Sequence, residues 1–287
     1  MTAIPLRDID PIWDELALHL TSGTAGGGIG QQAIYSFAEA GARAIAIADI
    51  NEENAQQAAE TARKYATHPD FRTLIIGVDV ADAESVQKMI DVTVKEFGLI
   101  DYAINWAGVD HLTNEPFAEA SIEDFDKVMS VNTKGLMLCV RAEIKAMLAQ
   151  ETRKITSRSG ERDIGREVIL NVGSANSYAG LPAKMAYTVS KHAVMGLTKM
   201  AALDHAADGI RVNAVCPTWV RTPMVEEECR RNLTVMQMVE AIVPLKRMAE
   251  PEEIADVIVF LCSPSASYVT GTEIIIDAGV TLTVHMH

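Results

Sequence analysis

Residues 16–34 read Leu-Ala-Leu-His-Leu-Thr-Ser-Gly-Thr-Ala-Gly-Gly-Gly-Ile-Gly-Gln-Gln-Ala-Ile, and this stretch decides the fold. An apolar run that predicts a strand passes through a glycine-rich turn directly into a helical pattern. Glycine lets the backbone turn tightly and approach a pyrophosphate, while the first helical turn offers free amides and the positive end of its dipole. A flexible surface turn is the alternative. The position between strand and helix favours a phosphate-binding loop containing Gly23, Thr24, Gly28, Ile29 and Gly30.

The alternation of strand and helix continues along the chain. Continuous apolar runs are typical of a parallel sheet whose two faces are both covered by helices. The predicted strands are 16–22, 44–49, 72–78, 102–105, 168–172, 211–216 and 273–277. The fold class is therefore α/β, with a doubly wound parallel sheet of about seven strands in a single domain. No repeat or Pro/Gly-rich linker divides the chain.

Two segments break this rhythm. Residues 1–15 form an N-terminal extension to the domain that spans 16–287, and residues 149–167 make a long, charged connection. We expect 149–167 to be an inserted surface loop, remote from the strand ends that hold a cofactor. An anion-binding or partner-binding role for its basic residues is the alternative.

Composition excludes several classes of partner. The chain has 39 acidic and 25 basic residues, a net charge of -14, which disfavours nucleic acid and anionic membrane surfaces. Neither a secretory signal nor a membrane-spanning run is recognisable, so we expect a soluble, cytoplasmic protein. No metal site is predicted, because the four cysteines lack metal-ligand or C-x-x-C spacing: Cys139, Cys216, Cys229 and Cys262.

The second predicted strand ends in Asp49. A carboxylate at this point of a dinucleotide-binding fold bonds the two ribose hydroxyls of an adenosine, which favours NAD. A 2′-phosphate about 4 Å away would cost on the order of 4 kcal/mol per unit charge at an effective dielectric near 20. The alternative is that Asp49 or Asn51 simply caps the next helix.

The most informative residues are Ser174, at the end of the fifth predicted strand, and the pair Tyr187 and Lys191, one helical turn apart. An ammonium about 5 Å from a phenol contributes about 3 kcal/mol towards ionising it, which with an oxidised nicotinamide is sufficient in principle. Tyr187 can then exchange a proton with a substrate oxygen. Ser174 would hold that oxygen and stabilise the developing alkoxide.

From about Leu16 to Gly279 the chain resembles the short-chain dehydrogenase/reductase (SDR) family, which has a Rossmann-type sheet. The resemblance implies a catalytic set of Asn132, Ser174, Tyr187 and Lys191. It also implies cofactor contacts from three further segments: Asp79 and Val80 at the adenine, Asn105, Ala107 and Gly108 at the sheet and adenosine pocket, and Pro217, Val220 and Thr222 near the nicotinamide.

This chain departs from the family pattern in places. Thr24 stands where the fingerprint has its first glycine, so either Thr24 substitutes for it or the loop starts at Ser22-Gly23 with one extra residue. Thr218 replaces the glycine of the family's Pro-Gly motif, and Trp106 replaces an asparagine. The nicotinamide end of the site is therefore expected to be reshaped.

The resemblance predicts an NAD-dependent oxidoreductase that interconverts a secondary alcohol and a ketone, with NADP(H) as the alternative cofactor. A small or medium hydrophobic substrate would lie under a lid at 223–243. The substrate contacts expected are His111, Ala175, Tyr178, Gly180 and Met224. A homotetramer or homodimer is expected. A non-redox member of the family (dehydratase, isomerase or cyclase) and a cofactor-binding regulatory module remain the other possibilities.

Overall fold

The computed structural model describes residues 17–21, 28–110, 115–158, 160–231 and 234–282. In these residues seven parallel strands form one sheet in the order β3-β2-β1-β4-β7-β8-β9. They are β1 (Ala17–Thr21), β2 (Ala44–Asp49), β3 (Arg72–Gly77), β4 (Tyr102–Asn105), β7 (Glu167–Val172), β8 (Ile210–Pro217) and β9 (Glu273–Ile276). The prediction of an α/β fold with about seven strands is confirmed, and each predicted strand lies within a residue of an observed one.

Helices cover both faces of the sheet. They are α1 (Ile29–Glu39), α2 (Glu52–Ala62), α3 (Ala83–Phe97), α4 (Ile122–Met129), α5 (Leu136–Met147), α6 (Met185–His205), α7 (Pro223–Arg231), α8 (Thr234–Ile242) and α9 (Pro251–Cys262). One hydrophobic core joins the sheet to α1, α2 and α9, and a second joins it to α3, α5 and α6. Strands buried on both faces by these cores explain the continuous apolar runs in the sequence.

The order of the strands places a crevice at the carboxyl ends of β1 and β4. β1 pairs with β2 on one side and with β4 on the other, so the chain changes direction across the sheet at this point. In open parallel sheets, ligands bind where the strand order reverses. The fold therefore assembles the ends of β1, β2, β4 and β7 around a single cleft.

The connection predicted as a surface loop at 149–167 is instead an antiparallel hairpin of β5 (Arg153–Ser157) and β6 (Gly160–Gly165). The hairpin is held at the amino ends of the main strands. Arg153 Nη1 lies 2.9 Å from Asp101 Oδ1, and Arg162 donates to the carbonyl of Pro264 at 3.1 Å. Its position opposite the cleft agrees with the expected remoteness, whereas its regular pairing was not foreseen.

The predicted lid at 223–243 forms α7 and α8. Its inner face has a small core of its own, made by Val235, Val239, Val243 and Met248 and extended by Trp219 and Met236. Met236 therefore packs this segment onto the domain, whereas Met238 is 39 % exposed. The aliphatic side chains of the lid are used for packing as well as for any wall they present to a substrate.

The described residues contain neither a helix suited to span a membrane nor a cluster suited to hold a metal ion. None of their helices combines the length and the hydropathy that a transmembrane segment requires. Within the same ranges, no group of three or more His, Cys, Asp or Glu side chains is arranged to hold a metal ion.

The base of the hairpin gives a stability prediction. Arg153→Ala should lower the free energy of unfolding by about 2–3 kcal/mol, because it removes an ion pair of 2.9 Å to the buried Asp101 carboxylate. Lys154→Ala is the matched control, since Lys154 pairs at 2.9 Å with the exposed Glu161, and should cost less than about 0.5 kcal/mol. Urea titration measures both. Turnover should be unchanged in each variant, and equal losses of stability would contradict this account.

Candidate active site

Helix α6 carries Tyr187 and Lys191 on one face. The Lys191 ammonium lies 5.5 Å from the centroid of the Tyr187 ring and donates to the carbonyl of Val172 at 2.9 Å. Lys191 is 5 % exposed. Burying a cation is costly, and the Val172 carbonyl and the ring are the direct contacts that offset this cost.

Ser174 follows the end of β7 in an extended conformation, and its hydroxyl lies near enough to Tyr187 to lower the pKa of the phenol. The same hydroxyl accepts from the amide of Asn176 at 3.2 Å, which fixes it at the start of a short 3₁₀ turn. The last residue of β7 thus provides the Val172 carbonyl that accepts from Lys191, and the segment after it provides the Ser174 hydroxyl near Tyr187. The three predicted side chains come together as the sequence indicated.

The pKa values of Tyr187 and Lys191 differ from the expectation that Lys191 brings the phenol towards ionisation. Burial raises the pKa of Tyr187 to about 12, against the opposing effect of the Ser174 hydroxyl, and burial lowers the pKa of Lys191 to about 8. The protein's own groups therefore favour the neutral phenol. The net effect of the protein is to disfavour ionisation of the phenol, because the effect of burial is the largest of the causes.

Asn132 lies in a π-helical turn, Ser130–Gly135, between α4 and α5. Its Oδ1 accepts the amide of Val109 at 2.8 Å, while its Nδ2 donates to the Val109 carbonyl at 2.9 Å and to Ser190 Oγ at 3.0 Å. The side chain is thus used to clamp the loop after β4 against α6. A β-carbon on Gly108 would lie 3.5 Å from Asn132 Oδ1 and 3.7 Å from Lys191 Nζ, so this glycine lines the same cluster.

A buried polar network supports the cluster from below. Asn105, at the end of β4, donates to Glu143 Oε2 at 2.9 Å and to Asn171 Oδ1 at 3.1 Å. Asn171 in turn donates to Thr198 on α6 at 2.9 Å. Burial raises the pKa of Glu143 to about 7. Glu143 was not anticipated, because a lone glutamate in an apolar helix gives no sequence signal of its partner.

The glycine loop meets the segment after β8. Gly28 has φ 97°, and a β-carbon there would lie 2.9 Å from Thr222 Cγ2, so only glycine allows this approach. Helix α1 starts at Ile29, with Gly30 next, and has neither a side-chain cap nor an acidic residue in its first turn. Gly23 and Thr24 lie outside the described residues.

The other predicted cofactor residues surround the same cleft. Asp49 is buried and accepts the amide of Asn51 at 2.8 Å, whereas Asn51 itself caps α2. Asp79 is exposed and bonds the amide of Ala81, and Val80 packs against Gly135. Ala107 packs on the second core, Pro217 ends β8, and Val220 is buried beside Ala249.

The predicted substrate residues are less closely grouped. Ala175 begins the 3₁₀ turn after Ser174, and Gly180 is exposed nearby. The Tyr178 hydroxyl lies at β9, 3.1 Å from the Glu273 carbonyl and 3.2 Å from Glu273 Oε2. Met224 belongs to α7. His111 and the side chain of Met224 lie outside the described residues.

A family model described as enoyl-(acyl carrier protein) reductase matches residues 23–281. The short-chain dehydrogenase anuF of Penicillium roqueforti is 45 % identical over 260 residues, which cover 91 % of this chain and 94 % of the relative. The chain belongs to the short-chain dehydrogenase/reductase family. It is an NAD(P)-dependent oxidoreductase that acts on a small molecule.

Solved structures agree with this SDR assignment. Levodione reductase superposes with a TM-score of 0.84 at 29 % identity, covering 95 % of this chain and all (100 %) of that one. A 3-ketoacyl-(acyl-carrier-protein) reductase from Brucella melitensis, complexed with NADH, gives a TM-score of 0.77 at 26 % identity, with coverages of 94 % and 99 %. Use of a nicotinamide cofactor by this SDR is thereby supported.

Glu143 gives a prediction on pH and stability. Its pKa is about 7 in the folded protein, above the ordinary value of 4.5, so the unfolded chain ionises it first as pH rises. Wild-type stability should therefore fall relative to Glu143→Gln between about pH 4.5 and 7, by roughly 3 kcal/mol, and the difference should stay constant above that. Denaturant unfolding at several pH values tests this. A pH-independent difference would show that Glu143 ionises normally in the fold.

Proposed function

We propose that this SDR is an NAD-dependent oxidoreductase that interconverts a secondary alcohol and a ketone, with Tyr187 as the acid and base. The observation that carries the proposal is the contact between Ser174 and Tyr187, with the Lys191 ammonium 5.5 Å from the phenol ring. A hydroxyl and a phenol that meet beside a cleft suit a substrate oxygen that gains or loses a proton.

The cleft fits a dinucleotide. The first turn of α1 offers backbone amides without a side-chain cap, and Gly28 leaves room where a side chain would collide with Thr222. Asn51, rather than Asp49, caps α2, and Asp49 stands at the end of β2, where a carboxylate can bind a ribose. When bound, the nicotinamide supplies the hydride, or accepts it, and carries a positive charge in its oxidised form.

The residues of this chain supply the proton chemistry. In ketone reduction, the Tyr187 hydroxyl donates its proton to the substrate oxygen as hydride reaches the carbon, and Ser174 stabilises the oxygen. In alcohol oxidation, the proton moves from the substrate to the Tyr187 phenolate. Because the pKa of Tyr187 is raised to about 12, the protein itself favours the protonated form, which is the one used in reduction.

Preference for NAD rests on two carboxylates at the ends of β2 and β3. Asp49 is paired in register with Gly77, and the Glu52 carboxylate lies directly against Gly77. A ribose 2′-phosphate placed here would meet negative charge from Asp49 at the end of β2 and from Glu52 in the first turn of α2. Glu52 was not identified from the sequence, since the first turn of a helix is commonly acidic for its own stability.

Assembly into a dimer or tetramer is part of the proposal. Helices α5 and α6 leave large apolar side chains exposed, which favours coverage by a second copy. They are Met137, Leu148, Val189, Met200 and Leu203. A hydrophobic substrate is likewise proposed, on the aliphatic composition of the lid.

The function is tested first by Tyr187→Phe. Turnover should fall by at least about 1000-fold, because the transferred proton is lost, while the Kd for NADH stays within about twofold. Reduced-cofactor absorbance with a panel of ketones and secondary alcohols measures turnover, and fluorescence titration measures Kd. Substantial turnover by Tyr187→Phe would refute the role of Tyr187, and conversion of substrate without net redox would favour a dehydratase, isomerase or cyclase.

Cofactor choice is tested separately. Wild type should prefer NAD(H) over NADP(H) by roughly 30- to 150-fold in kcat/KM, which corresponds to about 2–3 kcal/mol of repulsion at a partly solvated site. Asp49→Ser should remove most of that gap. Asp79→Asn is the matched control, because it also removes a carboxylate at a strand end but should weaken both cofactors equally. Tighter binding of NADPH than NADH by wild type, measured by fluorescence, would overturn the assignment.

A further inference from the structure

A charged pair joins two parts of the site that the sequence motifs do not connect. Lys184 Nζ lies 2.8 Å from Asp110 Oδ2. The Lys184 side chain is 21 % exposed and that of Asp110 is 43 % exposed, so the pair is partly screened from solvent. The two residues are far apart in sequence and come together because the loop after β4 passes beside the start of α6.

On one side, the pair is attached to a fixed loop. Asp110 follows Val109, whose amide and carbonyl are both held by the Asn132 side chain at 2.8 and 2.9 Å. Gly108, one residue further back, lines the cluster beside Lys191. The carboxylate of Asp110 is therefore anchored to backbone whose position is set by Asn132.

On the other side, the pair is attached to the first turn of the catalytic helix. Lys184 is the cap residue of α6, and its carbonyl accepts the amide of Thr188 at 2.9 Å. The preceding residue, Ala183, has φ 61°, a left-handed conformation that is unfavourable for a residue with a β-carbon. A strained turn immediately before the helix requires contacts that hold it, and the ion pair is one such contact.

We propose that Asp110 and Lys184 form a positioning pair for Tyr187. The pair fixes the start of α6 against the loop that Asn132 clamps, and the balance of its two charges sets how readily the phenol gives up its proton. This inference rests on the proposed role of Tyr187 as acid and base. Neither residue touches the reacting atoms, and both act through the placement and the electrostatics of Tyr187.

The charges around the phenol support an electrostatic effect. Asp110 faces Tyr187 and Lys191 from the loop after β4, Cys216 faces them from β8, and Ser174 faces Tyr187 from the end of β7. The Asp110 carboxylate raises the pKa of both Tyr187 and Lys191. The Lys184 cation, 2.8 Å from that carboxylate, offsets it.

The charges of Asp110 and Lys184 have opposite signs, so removing one or the other should shift the pH profile in opposite directions. Asp110→Asn removes the negative charge, so the rise of alcohol oxidation with pH should move to lower pH, by about half a unit. Lys184→Met leaves the carboxylate unbalanced, so the rise should move to higher pH by a similar amount. The double variant should return close to the wild-type profile, and Lys184→Arg should retain it.

Two further measurements separate positioning from a general loss of structure. In thermal unfolding of the cofactor-free protein, the double variant should lose no more stability than either single variant, because one interaction is removed in all three. The Kd for NADH should stay within about twofold throughout. Lys154→Met, which breaks the exposed pair with Glu161 on the hairpin, should change neither the pH profile nor turnover.

The outcomes distinguish this inference from the function on which it rests. If Tyr187→Phe is inactive but both single variants keep the wild-type pH profile, or move it in the same direction, the positioning pair is refuted and the proposed function stands. If Tyr187→Phe retains turnover, the proposed function fails. Stability losses that simply add in the double variant would refute the interaction between the two residues directly.

Discussion

The buried ammonium of Lys191 governs the arrangement of the site. Its hydrogen bond to the carbonyl of Val172 joins α6 to the end of β7, two residues before Ser174. The contacts that hold the ammonium directly are a backbone carbonyl and the Tyr187 ring, and the Asp110 carboxylate adds a favourable electrostatic contribution. This attachment and the hydrogen bond from Asn171 to Thr198 hold α6 against β7, and so help to set the positions of Tyr187 and Ser174 relative to each other.

Burial shifts both titrating groups towards their neutral forms. The pKa of Tyr187 is raised and that of Lys191 is lowered, so each group is easier to hold uncharged inside the protein. Positive charge beside the phenol lowers the pKa of Tyr187, and negative charge, such as that of Asp110, raises it. The same carboxylate favours the charged form of Lys191. The proton affinity of Tyr187 is therefore set by charges on neighbouring loops as well as by the residues of the catalytic motif.

Sequence patterns predicted the sheet and the proximity of Tyr187 and Lys191 because both are locally encoded. Parallel strands buried on two faces are apolar throughout, and Tyr187 and Lys191 are neighbours on any helix. The hairpin at 153–165 was missed because its strands are charged and short, so they carry no apolar alternation. The orientation of the Tyr178 side chain towards Glu273 and the pairing of Asp110 with Lys184 depend on the paths of loops, which the sequence alone does not determine.

Glu143 is a buried acid within a hydrophobic core. The hydrogen bonds around it explain why an acid is found there. Glu143 accepts from Asn105, Asn105 also donates to Asn171, Asn171 donates to Thr198, and Thr198 donates to the carbonyl of Val194. One hydrogen bond from Asn105 goes to Glu143 on α5, and the others run from the end of β4 through β7 to α6. An apolar residue at 143 would remove the acceptor that fixes the Asn105 amide, and with it the direction of the whole series. The series ends on the backbone of α6, about one turn beyond Lys191. Glu143 therefore helps to position α6 against β4 and β7. Because burial raises the pKa of Glu143, this arrangement lowers the free energy of unfolding as pH rises.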